Sequence, residues 1–282
     1  MRVMITGANG QLGRALTRTA QVEHVTFTHD ELDVADFVAV QQAFITAQPT
    51  LIIHAGAMTD VDGCERDPVA AYKANGLGAQ NVAAAADNIG AQLVYVSTNF
   101  VFDGEQDAPY HEFAATHPIS VYGASKLAGE RAVRALCPQH YVVRTSMVYD
   151  ESGRNFVNTM LRLANDRPSL RVVADQRGNP TYAEDLAHAI WKLVELPAFG
   201  TYHLTNTGVA SWYEWAVEIF RLTGKQIAVE PISAAEYQRA ATPPRNGVLA
   251  NLTASALGIT LPDWRDALTR CLSNRGAVLA DG

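Results

Sequence analysis

The sequence predicts an α/β protein, a doubly wound parallel sheet with a smaller C-terminal α/β lobe. Three observations predict it. Short β-branched runs alternate with helical patterns of ten or more residues, as βαβ units require. A glycine-rich turn, "GANGQLG" from Gly7 to Gly13, joins the first run to the first helix. After about residue 150 the alternation loosens.

Taken in order, "RVMIT" reads as a strand followed by a helix from Gln11, "HVTFT" as a strand followed by a helix near Asp36–Ala47, and "LIIHA" as a strand followed by a helix through "AAYKANGLGAQNVAAAAD". The strand "QLVYVST", the helix "YGASKLAGERAVRAL" and the strand "YVVRT" complete a first lobe at residues 1–150. Right-handed crossovers make these strands parallel. In a second lobe at 151–282, "NFVNTMLRLAND" reads as a helix, "SLRVV" as a strand, "AEDLAHAIWKLVEL" as a helix, "GTYHLT" as a strand and "SWYEWAVEIFRLTG" as a helix, with the chain free to cross back to the first lobe. Ser211 is a good N-cap for the last of these, and Trp212, Tyr213 and Trp215 after it are assigned to core and lobe packing. The terminal "NRGAVLADG" has no apolar period and is expected to fray.

Composition narrows the function. The chain has 282 residues, 29 acids against 22 bases and a formal net charge of −7, with no Lys or Arg run long enough to follow a phosphate backbone. Nucleic acid is therefore not an expected partner. Cys64, Cys137 and Cys271 have neither CxxC spacing nor an even count, which suggests no disulfide framework, no zinc site and a reducing compartment. No apolar run is long enough to span a membrane, and "MRVMITGANG" enters a strand directly without a charged leader. A soluble cytoplasmic protein is expected. Asp60, Asp62, Glu65 and Asp67 cluster without the spacing of an oxygen cage, so they read as a solvated loop and helix start, and no metal is expected.

Two stretches carry chemistry. The glycines of "GANGQLG" permit a tight turn, a close approach to a pyrophosphate and close helix packing, while the helix N-terminus offers free N–H groups to phosphate. The GxxGxxG spacing points to short-chain reductases. At the end of the second strand, "THDELD" offers His29, Asp30 and Asp33 to a ribose, with Arg14 as a rival for a 2′-phosphate; Asp30 reads equally as a turn cap. NADH and NADPH both stay open as the cofactor.

The second stretch is "SVYGASKLAGE", which sets Tyr122 and Lys126 one turn apart on one helical face. A free phenol titrates near ~10, and a nearby cation favours its phenolate. Gly123, Ala124 and Ser125 leave room for a nucleotide alongside. Tyr122 then suits proton donation to a carbonyl oxygen, with Lys126 lowering the phenol and holding a ribose. Ser97 and Thr98 end the fourth strand at the carboxyl edge of the sheet, where doubly wound folds bind ligands. His54 reads as a buried strand-end histidine with a satisfied hydrogen bond. Asn75, in mid-helix, reads equally as a brace for the strand bearing Thr98 or as an anchor for water near Lys126.

Together "GANGQLG", "HAGAMTDVDGCERDP", "VSTNFVFDG", "YGASKLAGE", "VVRTSMVY", "NFVNTMLRLA" and "DQRGNPTYAEDLA" resemble the extended short-chain dehydrogenase/reductases and, among them, the dTDP-4-dehydrorhamnose reductase family. The resemblance spans nearly the whole chain. It implies a Rossmann-type fold and a cofactor, NADPH or NADH, held at Gly7, Gly10, Gln11, Leu12 and Gly13. Further cofactor contacts would come from His29, Asp30, Asp33 and Val34, and from Ala55, Gly56, Ala57 and Thr59. The implied catalytic set is Thr98, Tyr122 and Lys126, acting on the C4 ketone of a dTDP-linked 4-keto-6-deoxy sugar, and a homodimer is compatible with it.

The pattern also departs from the family. Asn99 and Phe100 stand where Asp and Tyr are usual, Met147 stands where Trp is common, and "TPPRNGVLAN" keeps a single arginine, Arg245, for the diphosphate. Thr98, Asn99, Met147 and Arg245 are the implied substrate contacts, and the changes point to an altered sugar preference. An epimerase or dehydratase is the alternative enzyme, although dehydratases usually carry Asp-Glu where Asn99 and Phe100 stand. Relatives that bind NADP as regulatory subunits supply a non-enzyme alternative, against which the intact Tyr122 and Lys126 weigh.

Overall fold

The apolar runs of the N-terminal half become strands because both of their faces are covered. Val3, Ile5, Leu51, Ile53, Val94 and Val143 enter one buried cluster, while the alternate residues Met4, Ile52, Leu93, Tyr95 and Val142 enter another. Strands buried on both sides read as continuous apolar sequence. In the computed structural model, which describes residues 1–280, these strands are β1 (Val3–Thr6), β2 (His24–Phe27), β3 (Leu51–His54), β4 (Gln92–Thr98) and β5 (His140–Thr145). Among the described residues they join Gly200–His203 in a six-stranded sheet ordered Gly200–His203, β5, β4, β3, β1, β2, with every neighbouring pair parallel. The order reverses between β1 and β3, which opens a crevice at their carboxyl ends.

Helices Gln11–Thr19 and Ala183–Val194 cover one face. Helices Phe37–Ala47, Gly78–Asn88 and Val121–Leu136 lie on the other. Asp36 caps its helix by accepting from the Val38 and Ala39 amides, and Ser211 forms a capping box with Glu214 before Trp212–Thr223.

The chain crosses back as the sequence allows. Gly200–His203 pairs with β5, and Ala254, Ile259 and Leu261 join the core under Ala183–Val194. The remaining C-terminal segments form a second core around Tyr149, Tyr182, Trp215, Phe220 and Trp264. Trp212 and Trp215 pack there against Phe156 at ring separations of 4.9 and 4.8 Å. The strand Ala228–Ile232, which pairs with Ser169–Val173, was not legible: only its last residue is buried and it contains Pro231, so alternation is absent and proline marks an edge.

Two expectations need correction. The long helix after β3 is not regular: Pro68–Tyr72 widens into a π turn at Lys73–Leu77 before Gly78–Asn88. The cause is Asn75, whose amide accepts from the Met58 N–H at 2.8 Å and donates to the Met58 carbonyl at 3.1 Å. A side chain that must reach inward for backbone partners displaces the helical ladder. The second correction concerns the C-terminus, where helix Trp264–Ala280 runs through most of "NRGAVLADG". Its buried Ala267, Leu268 and Cys271 hold it, and the Asn274 amide reaches the Tyr182 hydroxyl at 3.2 Å. Asp281 and Gly282, the end of that stretch, lie outside the described residues.

One charged network fixes the central helix. On Val121–Leu136 the residues Tyr122, Ser125, Lys126, Gly129, Glu130 and Val133 are buried, spaced as one helical stripe. Glu130 has no exposed surface and receives both Nε and Nη2 of Arg144 at 2.8 Å, Ser97 Oγ at 2.6 Å and Arg134 at 2.8 Å. Burial opposes its charge, yet these donors hold the carboxyl below its ordinary range. Replacing Glu130 by Ala leaves Arg144 buried and unpaired, so the variant is expected to lose about 3–5 kcal/mol, read from the urea midpoint at unchanged slope. Glu130→Gln is expected to lose less.

Candidate active site

The crevice at the sheet's carboxyl edge is a cavity of about 840 Å³, large enough for a dinucleotide's reactive half with a small co-substrate. Its shape begins with backbone contacts. Gly7 has φ of +77°, and a Cβ there would lie 2.5 Å from the Gly56 Cα, so the turns after β1 and β3 touch without side chains. A Cβ on Gly13 would lie 2.2 Å from the Gly7 carbonyl. Gly13 therefore serves packing and stays out of the cavity.

The wall gathers most of the residues singled out in the sequence. Gly7, Gly10, Gln11 and Leu12 come from the glycine turn. His29, Asp33 and Val34 follow β2, while Ala55, Gly56, Ala57 and Thr59 follow β3. Thr98, Asn99, Tyr122, Lys126 and Met147 meet at the other end. Asp30 is exposed and does not reach the wall. Arg245 also lies off the wall, because its guanidinium is held at 3.0 Å by the exposed Asp107. Among the wall residues that the sequence reading missed are Lys73, Arg154 and Asn155. Their positions depend on the π turn and on the second lobe, neither of which leaves a local signal.

Asn75 is a brace: its carbonyl accepts from the hydroxyl of Tyr95, on the strand that ends in Thr98, at 3.3 Å. Beyond Met58 it donates to Ser125 Oγ at 3.0 Å, tying the loop after β3 to the helix of Tyr122. His54 is the buried strand-end histidine: its Nδ1 meets Thr6 Oγ1 at 2.7 Å, and burial, then Lys126, lower it to about 3. The clustered acids serve separate local tasks. Glu65 accepts the Val121 N–H at 2.7 Å, Asp67 caps Pro68–Tyr72, and Asp62 meets Arg239 at 3.0 Å.

At the chemical end Thr98, Tyr122 and Lys126 are 6, 9 and 2% exposed. The Lys126 Nζ sits 4.1 Å from the Tyr95 ring centroid, a favourable place for a cation. Phe100 meets Tyr122 edge-on at 5.3 Å. Burial pushes the Tyr122 phenol up to about 12, opposed by the Thr98 hydrogen bond. Burial also pulls Lys126 down to about 7, opposed by the Glu130 carboxylate. The expected lowering of the phenol by Lys126 is thus not present. A lysine half discharged at neutral pH has little charge to lend, and a neutral phenol is the form that can donate a proton.

Asn99 uses both ends of its amide. Its Oδ1 accepts from Thr98 Oγ1 at 3.3 Å and its Nδ2 donates to the Gly247 carbonyl at 3.1 Å, across the two lobes. A carboxylate could not make the second bond. Met147 occupies the left-handed region at φ of 47°, a strained backbone of the kind that gathers at functional sites. Thr145, Ser146 and Gln11 line the cavity, and the Thr145 and Ser146 hydroxyls and Gln11 Oε1 are buried without partners. The glycine cradle fits a dinucleotide.

The model of a protein family described as the RmlD substrate binding domain matches residues 1–276. A Sinorhizobium fredii protein named dTDP-4-dehydrorhamnose reductase is 40% identical over 296 residues, covering 100% of this chain and 99% of its own. The Bacillus subtilis spore coat polysaccharide biosynthesis protein SpsK is 39% identical over 280 residues, covering 98% of this chain and 99% of its own. A crystal structure of Bacillus anthracis dTDP-4-dehydrorhamnose reductase in complex with NADP superposes with a TM-score of 0.95 at 41% identity, over 97% of this chain and 99% of that one.

Lys126 generates a stability test. Its value falls from an ordinary 10.5 to about 7, so between those limits the unfolded chain holds more protons and stability rises with pH. Lys126→Met is expected to stabilise the chain by about 1 kcal/mol below pH 7, roughly 2–4 °C in Tm, with the gain shrinking toward pH 10. Thermal melts across that range would show it; a gain that grows with pH would contradict it.

Proposed function

The chain belongs to the RmlD substrate binding domain family, and from that membership we propose that it is an NAD(P)H-dependent reductase converting dTDP-4-dehydrorhamnose to dTDP-L-rhamnose. Near-full-length identity of about two residues in five to proteins named for that reaction supports the reading. The observation that carries it is the neutral, buried Tyr122 phenol beside Thr98 in the cavity of the glycine turn.

A nicotinamide held in this cavity would supply a hydride for C4 of the sugar. Tyr122 gives its proton to the C4 oxygen, so the ketone becomes a hydroxyl and a phenolate remains. Thr98, whose hydroxyl donates to Asn99 Oδ1 at 3.3 Å, turns that hydroxyl to donate to the phenolate. Lys126, one turn along the same stripe, holds a ribose hydroxyl. Gln11 and Leu12 offer their free backbone N–H groups at the helix N-terminus to the pyrophosphate, while Gly7 and Gly10, whose N–H groups bond to Phe27 and Gly7 carbonyls, shape the turn; Arg154 lines the same cavity. Phe100 and Tyr95 keep water from the phenol and the ammonium.

A neighbouring sugar as substrate is the second reading, favoured by two observations. Asn99 is already bonded at both amide ends, and Met147 offers a flexible thioether as a pocket wall. Both alter the surface that reads sugar hydroxyls.

The test is NADPH and NADH oxidation with enzymatically made dTDP-4-dehydrorhamnose, the product being identified by NMR. Formation of dTDP-L-rhamnose is expected; turnover only with other 4-keto sugars would favour the second reading. Tyr122→Phe is expected to lower kcat by about 10²–10⁴-fold while NADPH affinity stays near wild type, because the phenol acts on the ketone and Lys126 still holds ribose.

A further inference from the structure

The glycine turn has a partner far along the chain. Arg14, the residue after the third glycine, donates through Nη1 to the Asn9 carbonyl at 2.6 Å, within the turn. Through Nη2 it reaches Asp150 Oδ2 at 3.3 Å and the Ser152 carbonyl at 3.3 Å. The Asp150 side chain is fully buried. It begins a segment that Asn155 knots together by donating to the Asp150 carbonyl at 2.8 Å and to the Ser152 carbonyl at 3.3 Å. Gly153, at φ of +78°, leaves space for the guanidinium, since a Cβ there would lie 3.1 Å from Nη2. Arg154 and Asn155 of the same segment line the cavity that Gly10 and Gln11 also line.

We propose that Arg14 is a positioning residue, a strut that sets the glycine turn against the Asp150–Asn155 segment, so that the two walls closing on the cofactor's pyrophosphate hold one spacing. Three of the guanidinium's N–H groups are given to Asn9, Asp150 and Ser152, and its buried Nε–H has no partner. A planar fork suits this task better than an ammonium, because two directions must be held at once. The inference rests only on the nicotinamide cofactor of the proposed function and needs no sugar.

The test is fluorescence titration of NADPH and of NADH into the full chain as wild type, Arg14→Ala, Arg14→Lys, Asp150→Asn and the Arg14→Ala/Asp150→Asn double variant, with a Tm for each. Because the pyrophosphate is common to both cofactors, Arg14→Ala and Asp150→Asn are each expected to weaken both by about tenfold, the scale of one lost charge-assisted hydrogen bond. The double variant is expected to bind no worse than either single one, with Arg14→Lys between wild type and Arg14→Ala. Loss confined to NADPH would overturn the strut and make Arg14 a phosphate ligand. Losses that multiply in the double variant would also overturn it, and would send the Asp150 effect through its other partner, Arg18, at 3.5 Å. Affinities within about twofold of wild type alongside a lowered Tm would reduce the contact to packing. If Arg14→Ala does not fold, Arg14→Lys and Asp150→Asn decide between the same outcomes. Wild type that binds neither cofactor would count against the proposed function itself.

Discussion

The buried Glu130 carboxylate is the interaction on which the rest of the site depends. It takes hydrogen bonds from β4 through Ser97 and from β5 through Arg144, and it sits on the helix that carries Tyr122 and Lys126. Two strands and a helix are thereby fixed at one point, one helical turn below the ammonium. Its charge opposes the burial that drains Lys126. A neutral substitute would fill the space without balancing either cation, so packing and electrostatics there are inseparable.

From that anchor the site divides its labour by desolvation. Tyr122 and Lys126 are both deprived of water, with opposite results for their charge: the phenol is held neutral and the ammonium is poised near its midpoint. Reduction needs this asymmetry, because the donor must begin protonated and the cation is required once an anion appears. The Tyr95 ring under Lys126 and the Thr98 hydroxyl beside Tyr122 are the local counterweights, each weaker than burial.

Much of this was legible in the sequence because it is local. The glycine spacing, the Tyr122–Lys126 interval and the Ser-Thr ending of β4 each announce themselves within a few residues, and the alternation of runs with helices fixes the sheet. What escaped was long-range. Arg245 looked like the diphosphate cation, yet it lies off the cavity wall beside the exposed Asp107, while Arg154 reaches the wall from a segment, 150–155, that meets Arg14 far away in sequence. The π turn at Lys73–Leu77 escaped because helical periodicity carries no sign of an inward amide. The charge states of Tyr122 and Lys126 escaped too, since spacing reports proximity and says nothing of burial.

The strand Gly200–His203 edges the central sheet although it lies far down the chain, and Ala183–Val194 with Ile259 and Leu261 roofs one face of it. During synthesis, therefore, the ribosome releases the glycine turn and the Tyr122 helix long before the sheet that aligns them can close. Until Ala183–Val194 emerges, about two thirds of the way along the chain, part of one face of the sheet is bare apolar surface, of the kind that chaperones hold and that aggregates form on. Assembly of this enzyme is a whole-chain event, and truncation near residue 150 leaves a nucleotide fold without its own edge and roof.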